Sequence, residues 1–91
     1  MTEDPRRAVA LRYEPVTHNA PIVVAKGERY LADRIIEAAQ TLGLHIVADE
    51  KLSNSLIRLE LNQEIPAELY GAVAEVIAFV YKMDARRAYT R

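Results

Sequence analysis

Two short apolar stretches in the first third of the chain have the pattern of β-strands. Ala8–Tyr13 is mostly apolar and is followed by Pro15, which limits its length. Ile22–Ala25 is apolar at successive positions and ends at Lys26 and Gly27. Apolar residues at both parities indicate a strand that is covered on both faces. The sequence therefore predicts two strands joined by a proline-containing loop.

From about Glu28 the apolar spacing becomes helical, and it stays helical as far as Gly43, which provides the left-handed stop that helices favour. The apolar positions of this helix are Leu31, Ile35, Ala38, Ala39 and Leu42. Leu44–Ala48 then has the composition of a third strand. A strand, a helix and a strand in this order form a βαβ unit, which predicts parallel pairing through a right-handed crossover.

Two further helices are predicted in the second half of the chain. Asp49 can cap a short helix that carries Leu52 and Leu56, with Leu59 as a further candidate, and Pro66 suits the first turn of a final helix. The final helix has an unusually wide apolar face: Leu69, Tyr70, Val73, Val76, Ile77, Val80 and Tyr81. The expected fold is α/β, a small mixed β-sheet of three strands packed with three helices. A single domain over residues 8–82 would follow a flexible lead-in, 1–7, and precede a charged tail, 83–91.

The composition narrows the possible functions without naming one. The 91 residues suffice for one small core, and 51% of them are hydrophobic. Lys and Arg number 12 against 13 acids, so overall charge gives no case for binding nucleic acid. No apolar run reaches the roughly 20 residues that a membrane helix needs, and no signal peptide follows Met1. The expectation is a soluble cytoplasmic domain.

No arrangement of residues predicts catalysis or a cofactor. His18 and His45 are the only histidines, they lie far apart, and no cysteine is present, so a metal site is not expected. Ser53 and Ser55 lack a neighbouring base, which argues against nucleophilic catalysis. Glu64 and Glu68 flank Pro66, where complementing the helix dipole accounts for them. The prediction is a protein that is not an enzyme.

Three separated blocks of the chain resemble one protein family in order and spacing. The blocks are Ala8–Glu14, Ala20–Gly27, and Ile65–Pro66 with the helix that follows. They resemble the cytoplasmic C-terminal domain of the FlhB/YscU export-switch proteins of bacterial flagella and type III secretion systems. The resemblance implies a role in protein export. In that family, a membrane-embedded half precedes the domain, and neither that half nor its linker is in this sequence.

The resemblance fails at the family's cleavage motif. Family members cleave themselves between the Asn and the Pro of an Asn-Pro-Thr-His motif, because the asparagine amide attacks its own carbonyl. This chain has Asp4, Pro5, Arg6 and Arg7 in that region, with Pro5 either aligned with the family's proline or one place away. Self-cleavage is not expected on either alignment. The alternative is slow cleavage at Asp4–Pro5 through the carboxylate.

The resemblance also implies that the sheet is one strand short of the family's four. The exposed edge would then be Ala8, Val9, Ala10 and Leu11, and an uncovered edge invites pairing with another chain. The expected partner strand comes from an export-apparatus protein, such as the N-terminal part of a full-length FlhB, or from a second copy. Alternatively, the residues before Ala8 fold back over this edge.

Four residues match positions that line an apolar docking surface in the family. They are Ala20 and Pro21 on one wall and Ala74 and Ile77 on the last helix. The competing interpretation is that these side chains simply pack in the core. The resemblance implies a non-enzymatic adaptor that binds export substrates or apparatus proteins at the inner membrane. Its rival is a small self-associating module without an export role.

Overall fold

A two-stranded antiparallel sheet forms the centre of the molecule, with one helix on one face and two helices on the other. The computed structural model describes residues 6–14, 16 and 19–89, with side-chain surroundings through residue 83. The described elements are strands β1 (Arg7–Arg12) and β2 (Ile22–Glu28) and helices α1 (Tyr30–Leu42), α2 (Glu50–Leu56) and α3 (Tyr70–Tyr89). A 3₁₀ turn, Ala67–Leu69, leads directly into α3.

Small side chains let α1 approach the sheet closely on one face. Ala8 pairs with Gly27 and Ala10 pairs with Ala25 across the two strands. Because side chains alternate between faces, these four small residues share the face that α1 covers. A Cβ built on Gly27 would overlap Cγ of Leu31 in α1, so this glycine is required for the packing distance. Ala32 of α1 is fully buried there.

The opposite face of the sheet carries the main hydrophobic core. Val9 and Leu11 of β1 pack against a cluster of buried side chains from α2, α3 and the adjoining loops. The cluster consists of Ala20, Leu52, Leu56, Ile65 and Val73. The core thus fixes α3 against the residues that precede β2, an arrangement that positions the candidate site.

The two edges of the sheet differ in how they are covered. The outer edge of β2 is covered by residues 62–65, because the Val23 amide donates to Gln63 O at 3.1 Å and the Ile65 amide donates to Pro21 O at 3.0 Å. On the other side of β1, no strand is paired among the described residues. Coverage of β2 by a loop rather than by a strand leaves the sheet with a single pair of strands.

The prediction of three strands and a βαβ unit is not confirmed, since the described sheet contains only β1 and β2. Leu44–Ala48 has neither a turn nor a bend, yet it is not a strand. Composition can favour an extended backbone here, but a strand also needs a neighbour that supplies ladder hydrogen bonds. No described strand lies beside this segment, so the parallel pairing does not form and Leu44 and Ile46 stay 57% and 47% exposed.

The predicted signals at the end of α1 and at the beginning of α2 are confirmed. Pro66, however, has an extended backbone and does not lie in the first turn of the last helix, and α2 ends at Leu56, before Leu59. Gly43 ends α1 with a φ of 74°, and its amide and that of Leu44 donate to carbonyls of the last turn. The Asp49 side chain accepts the Leu52 amide of α2 at 3.0 Å. Pro66 immediately precedes the 3₁₀ turn before α3. Helix α3 continues to Tyr89, past the position where the charged tail was expected to begin.

Candidate functional site

An open apolar groove lies between α3 and the residues that flank the two strands. Its volume is about 410 Å³. The lining residues, called the groove from here on, are Tyr13, Asn19, Ala20, Pro21, Ile65, Tyr70, Val73, Ala74, Ile77, Ala78 and Tyr81. None of them carries a charge, and Asn19 supplies the one side-chain amide. An uncharged concave surface of this kind can bind an apolar partner, and its polar side-chain groups are the Asn19 amide and the hydroxyls of three tyrosines.

The floor of the groove belongs to the core, whereas its walls are open to solvent. Ala20, Ile65 and Val73 are 2%, 3% and 1% exposed, so their positions are fixed by packing. Helix α3 places Tyr70, Ala74, Ile77 and Tyr81 along one wall, because residues at this spacing fall on the same side of a helix. Between the two tyrosines, the small side chains of Ala74 and Ala78 also line the groove.

Three tyrosines surround the opening of the groove. Tyr13, Tyr70 and Tyr81 are 37%, 48% and 57% exposed. A tyrosine offers a large apolar ring together with a hydroxyl group, so it can cover an apolar ligand while remaining in contact with water. This combination is typical of protein-binding surfaces rather than of a closed core.

The four predicted docking residues are all among the lining residues of this one groove. Ala20 and Pro21 are buried at its base, Ala74 is exposed, and Ile77 is half-buried. Ile77 also packs against the core, so it fits both the docking interpretation and the core-packing interpretation. The sequence reasoning did not assign Tyr13, Tyr70 or Tyr81 to the site. The tyrosines at 70 and 81 share a helix face with Ala74 and Ile77, and that spacing could have revealed them.

The predicted exposed edge belongs to strand β1, which contains Ala8, Val9, Ala10 and Leu11. The hydrogen bonds between the strands show which of these residues bond to β2 and which point away from it. The Arg29 amide donates to Arg6 O at 2.9 Å, which makes these two opposed residues a hydrogen-bonded pair. Because such pairs alternate along an antiparallel ladder, Ala8 and Ala10 also bond to β2. The amides and carbonyls of Val9 and Leu11 therefore point away from β2.

The segment that replaces the cleavage motif is only partly described. Asp4 and Pro5 lie outside the described residues. Arg6 forms an ion pair with Asp33 of α1. Arg7 donates to Glu28 at 2.9 Å and to Asn54 of α2 at 2.6 Å. The two arginines thus attach the beginning of β1 to the helices on both faces of the sheet, which is a structural role.

The remaining residues considered for chemistry have structural surroundings or lie outside the description. Ser53 Oγ donates to Asp49 O at 3.0 Å, and Ser55 Oγ donates to Lys51 O at 3.4 Å, as serines inside helices commonly do. His45 is half-buried in the segment between α1 and α2, and His18 is outside the described residues. Among the residues that the structure describes, no group of acidic or histidine side chains could hold a metal ion.

Over the described part of the chain, no helix combines the length and the apolar character needed to cross a membrane. The longest helix, α3, includes Glu75 and Lys82 within its apolar stretch.

The amino-acid sequence matches one protein family over most of its length. The profile of the FlhB HrpN YscU SpaS Family matches residues 3–80. The uncharacterized protein YlqH of Bacillus subtilis (strain 168) is 40% identical over 79 residues, covering 87% of this chain and 85% of that protein. The flagellar biosynthetic protein FlhB of Aquifex aeolicus (strain VF5) is 40% identical over 74 residues, covering 80% of this chain. The chain spans only 21% of that larger relative.

Solved structures of C-terminal domains share the fold. The cytoplasmic domain of FlhB from Shewanella putrefaciens aligns with a TM-score of 0.81 at 35% identity, covering 87% of this chain and 67% of that one. The PscU C-terminal domain aligns with a TM-score of 0.77 at 31% identity, covering 81% of this chain and 95% of that one. The sequence match and the fold together show that the chain belongs to the FlhB HrpN YscU SpaS family and corresponds to its C-terminal domain.

Proposed function

We propose that this chain is a non-enzymatic, protein-binding component of flagellar or type III protein export. It docks an apolar segment of an export substrate or of an apparatus protein in the groove, in the cytoplasm beside the export apparatus at the inner membrane. The observation that carries the proposal is that Ala20, Pro21, Ala74 and Ile77 line one uncharged groove. Membership of the family supports the export role.

The chemistry of the groove favours brief, reversible binding. Burying one large aliphatic side chain contributes about 1.5–3 kcal/mol, and association itself costs several kcal/mol, so a single anchor gives weak affinity. Without charged lining residues, no long-range attraction selects one partner. Weak docking of many apolar segments is suited to a component that must release each substrate for export.

Export rescue tests the groove. The chain would be expressed in a bacterium whose FlhB has been truncated before its C-terminal domain, and export would be measured as the amount of secreted substrate. Wild type is expected to restore export, and Ala74→Glu to abolish it, because a carboxylate placed in the groove excludes an apolar segment. Ala38→Glu is the matched control, since Ala38 is also an exposed helical alanine but lies on α1.

The two arms of this experiment separate the possible failures. No rescue by folded wild-type chain would contradict the export role. Rescue that Ala74→Glu leaves intact would contradict docking in the groove but not the export role. Circular dichroism of both variants checks that a negative result does not come from unfolding.

Substitution for the C-terminal fragment of a full-length FlhB is the second part of the proposal. The outward-facing backbone groups of Val9 and Leu11 support it, because a strand from the N-terminal part of that protein could pair with them. The chain would then contribute β1 and β2 to a sheet built from two polypeptides. Self-association without an export role remains the rival function, and it would give a concentration-dependent size with no export rescue.

A further inference from the structure

Between Tyr70 and Met83, helix α3 is apolar around most of its circumference, although the core and the groove together occupy only part of it. Val73 points into the core, and Tyr70, Ala74 and Tyr81 face the groove. On the other flank, the exposed residues include Ala72 and Phe79, and the Phe79 ring is 48% exposed. A helix that is apolar on nearly all sides normally has partners on nearly all sides.

Among the side chains that the structure describes, those through Met83, the exposed flank beside Phe79 carries one acidic and one basic residue, Glu75 and Lys82, and both are exposed. Seven residues place them within about 20° of each other around the helix and about 10.5 Å apart along its axis. They are thus on one stripe but too far apart to form an ion pair with each other. Phe79 lies between them along the axis, about 40–60° around the helix.

This stripe is self-complementary about a two-fold axis. Consider a two-fold axis perpendicular to α3 that passes midway between Ala78 and Phe79. Glu75 and Lys82 are equally far from this axis along the helix, so the rotation places Glu75 of one copy at the same height as Lys82 of the other. Two antiparallel copies of α3 would then place each Glu75 opposite the partner's Lys82. The same operation brings the two Phe79 rings side by side at the centre of the contact, as an isologous interface requires.

We infer that the flank of α3 formed by Ala72, Glu75, Phe79, Lys82 and Met83 binds a second copy of this chain in an antiparallel, two-fold symmetric pair. The occupant follows from charge complementarity: a partner that opposes Glu75 with a cation and Lys82 with an anion is supplied by the same helix reversed. The groove is on a different side of α3, so each copy keeps its docking site. Such a pair presents two grooves, and a ligand with two apolar segments would gain affinity from both.

The interface has few residues, so the pair is expected to be weak. Interfaces below about 1,200 Å² in total are typical of transient association. Two ion pairs at the rim also make the association sensitive to salt, because exposed charges are screened over about 10 Å at 0.1 M ionic strength. Neither feature depends on the proposed export function.

Sedimentation equilibrium of the full chain tests the pair over concentrations from about 10 μM to about 1 mM, the weak end of specific affinity. Wild type is expected to change from monomer to dimer within this range. Glu75→Lys alone and Lys82→Glu alone should each weaken the dimer at least about tenfold, since each creates two like-charge contacts per dimer. Both substituted positions are exposed, so folding should survive.

Mixing the two single variants gives the decisive result. In a mixed pair, the lysine introduced at position 75 of one copy meets the glutamate introduced at position 82 of the other, while the native Glu75 and Lys82 meet at the second contact. The mixture should therefore dimerise although neither variant alone does. The double substitution Glu75→Lys with Lys82→Glu should likewise recover the dimer.

Two outcomes would overturn the inference. One is a wild-type chain that stays monomeric throughout the concentration range, and the other is a dimer that ignores both charge reversals. The second outcome would point to pairing through the edge of β1 instead.

Discussion

At the scale of single residues, Gly27 determines how closely α1 can approach the sheet. Its missing Cβ leaves room for Leu31, whose Cγ, Cδ2 and Cβ would all lie within 2.8 Å of that atom. Leu31 is half-exposed and can turn outward in part, but its Cβ is fixed to the helix backbone. An added methyl group must therefore displace α1 rather than only a flexible side-chain end.

Gly27→Ala is expected to lower the free energy of unfolding by about 1–3 kcal/mol, the usual cost of overpacking. The measurement is urea denaturation followed by circular dichroism. Gly71→Ala is the matched control, because nothing lies within 4 Å of its added Cβ. Inside a helix that change should raise stability by up to about 1 kcal/mol. Equal effects of the two substitutions would show that α1 is not in close contact with β2.

At the scale of elements, single residues that can be recognised in the sequence determine the C-terminal end of α1 and the N-terminal end of α2. Gly43 adopts the left-handed conformation that ends α1, and Asp49 caps α2. These signals can be recognised in the sequence because they act within three or four residues of chain. The final helix was also expected from Pro66, but its first turn is 3₁₀ and α3 itself begins at Tyr70.

Asp49→Ala is expected to destabilise the chain by about 1 kcal/mol, because the Leu52 amide loses its acceptor at the beginning of α2. Asp49→Asn should retain nearly all of the stability, since an asparagine oxygen accepts the same hydrogen bond. Thermal unfolding followed by circular dichroism measures both. If Asn proves as damaging as Ala, the charge of Asp49 rather than its cap geometry would be what stabilises α2.

The predicted third strand is absent from the described sheet, because a strand cannot be predicted from its own segment alone. Leu44–Ala48 has strand composition, yet no described strand pairs with it. The apolar pattern determined backbone preference, whereas strand formation depends on a second segment far away in sequence. The antiparallel pairing of β1 with β2 was likewise not deducible from either segment alone.

At the scale of the whole molecule, the uneven coverage of the sheet predicts an exchange pattern. The amides of Ala8 and Ala10 bond to β2, while those of Val9 and Leu11 face away from it. Amide hydrogen exchange followed by NMR should find Ala8 and Ala10 at least about tenfold slower than Val9 and Leu11, because amides that do not bond to β2 exchange without separation of the two strands.

Adding the membrane-anchored portion of a full-length FlhB, including the strand that ends at its cleavage motif, should protect Val9 and Leu11. A matched portion without that strand is the control. Unchanged exchange with the complete portion at saturating concentration would contradict strand pairing at this edge. Slow exchange of Val9 and Leu11 in the chain alone would indicate that other residues of the chain already cover them.

Local features could be predicted from the amino-acid sequence: the stop of α1 at Gly43, the cap of α2 at Asp49 and the apolar character of each segment. These features depend on neighbours a few residues away. Through the resemblance, the sequence also indicated Ala20, Pro21, Ala74 and Ile77 as one surface. Only the tertiary structure decided that these four line one groove together with Tyr13, Tyr70 and Tyr81. It also decided that Leu44–Ala48 has no strand partner among the described residues and that Phe79 of α3 is 48% exposed. Pairing and burial are properties of segments distant in sequence, and a pattern along one segment cannot specify which surface it will meet.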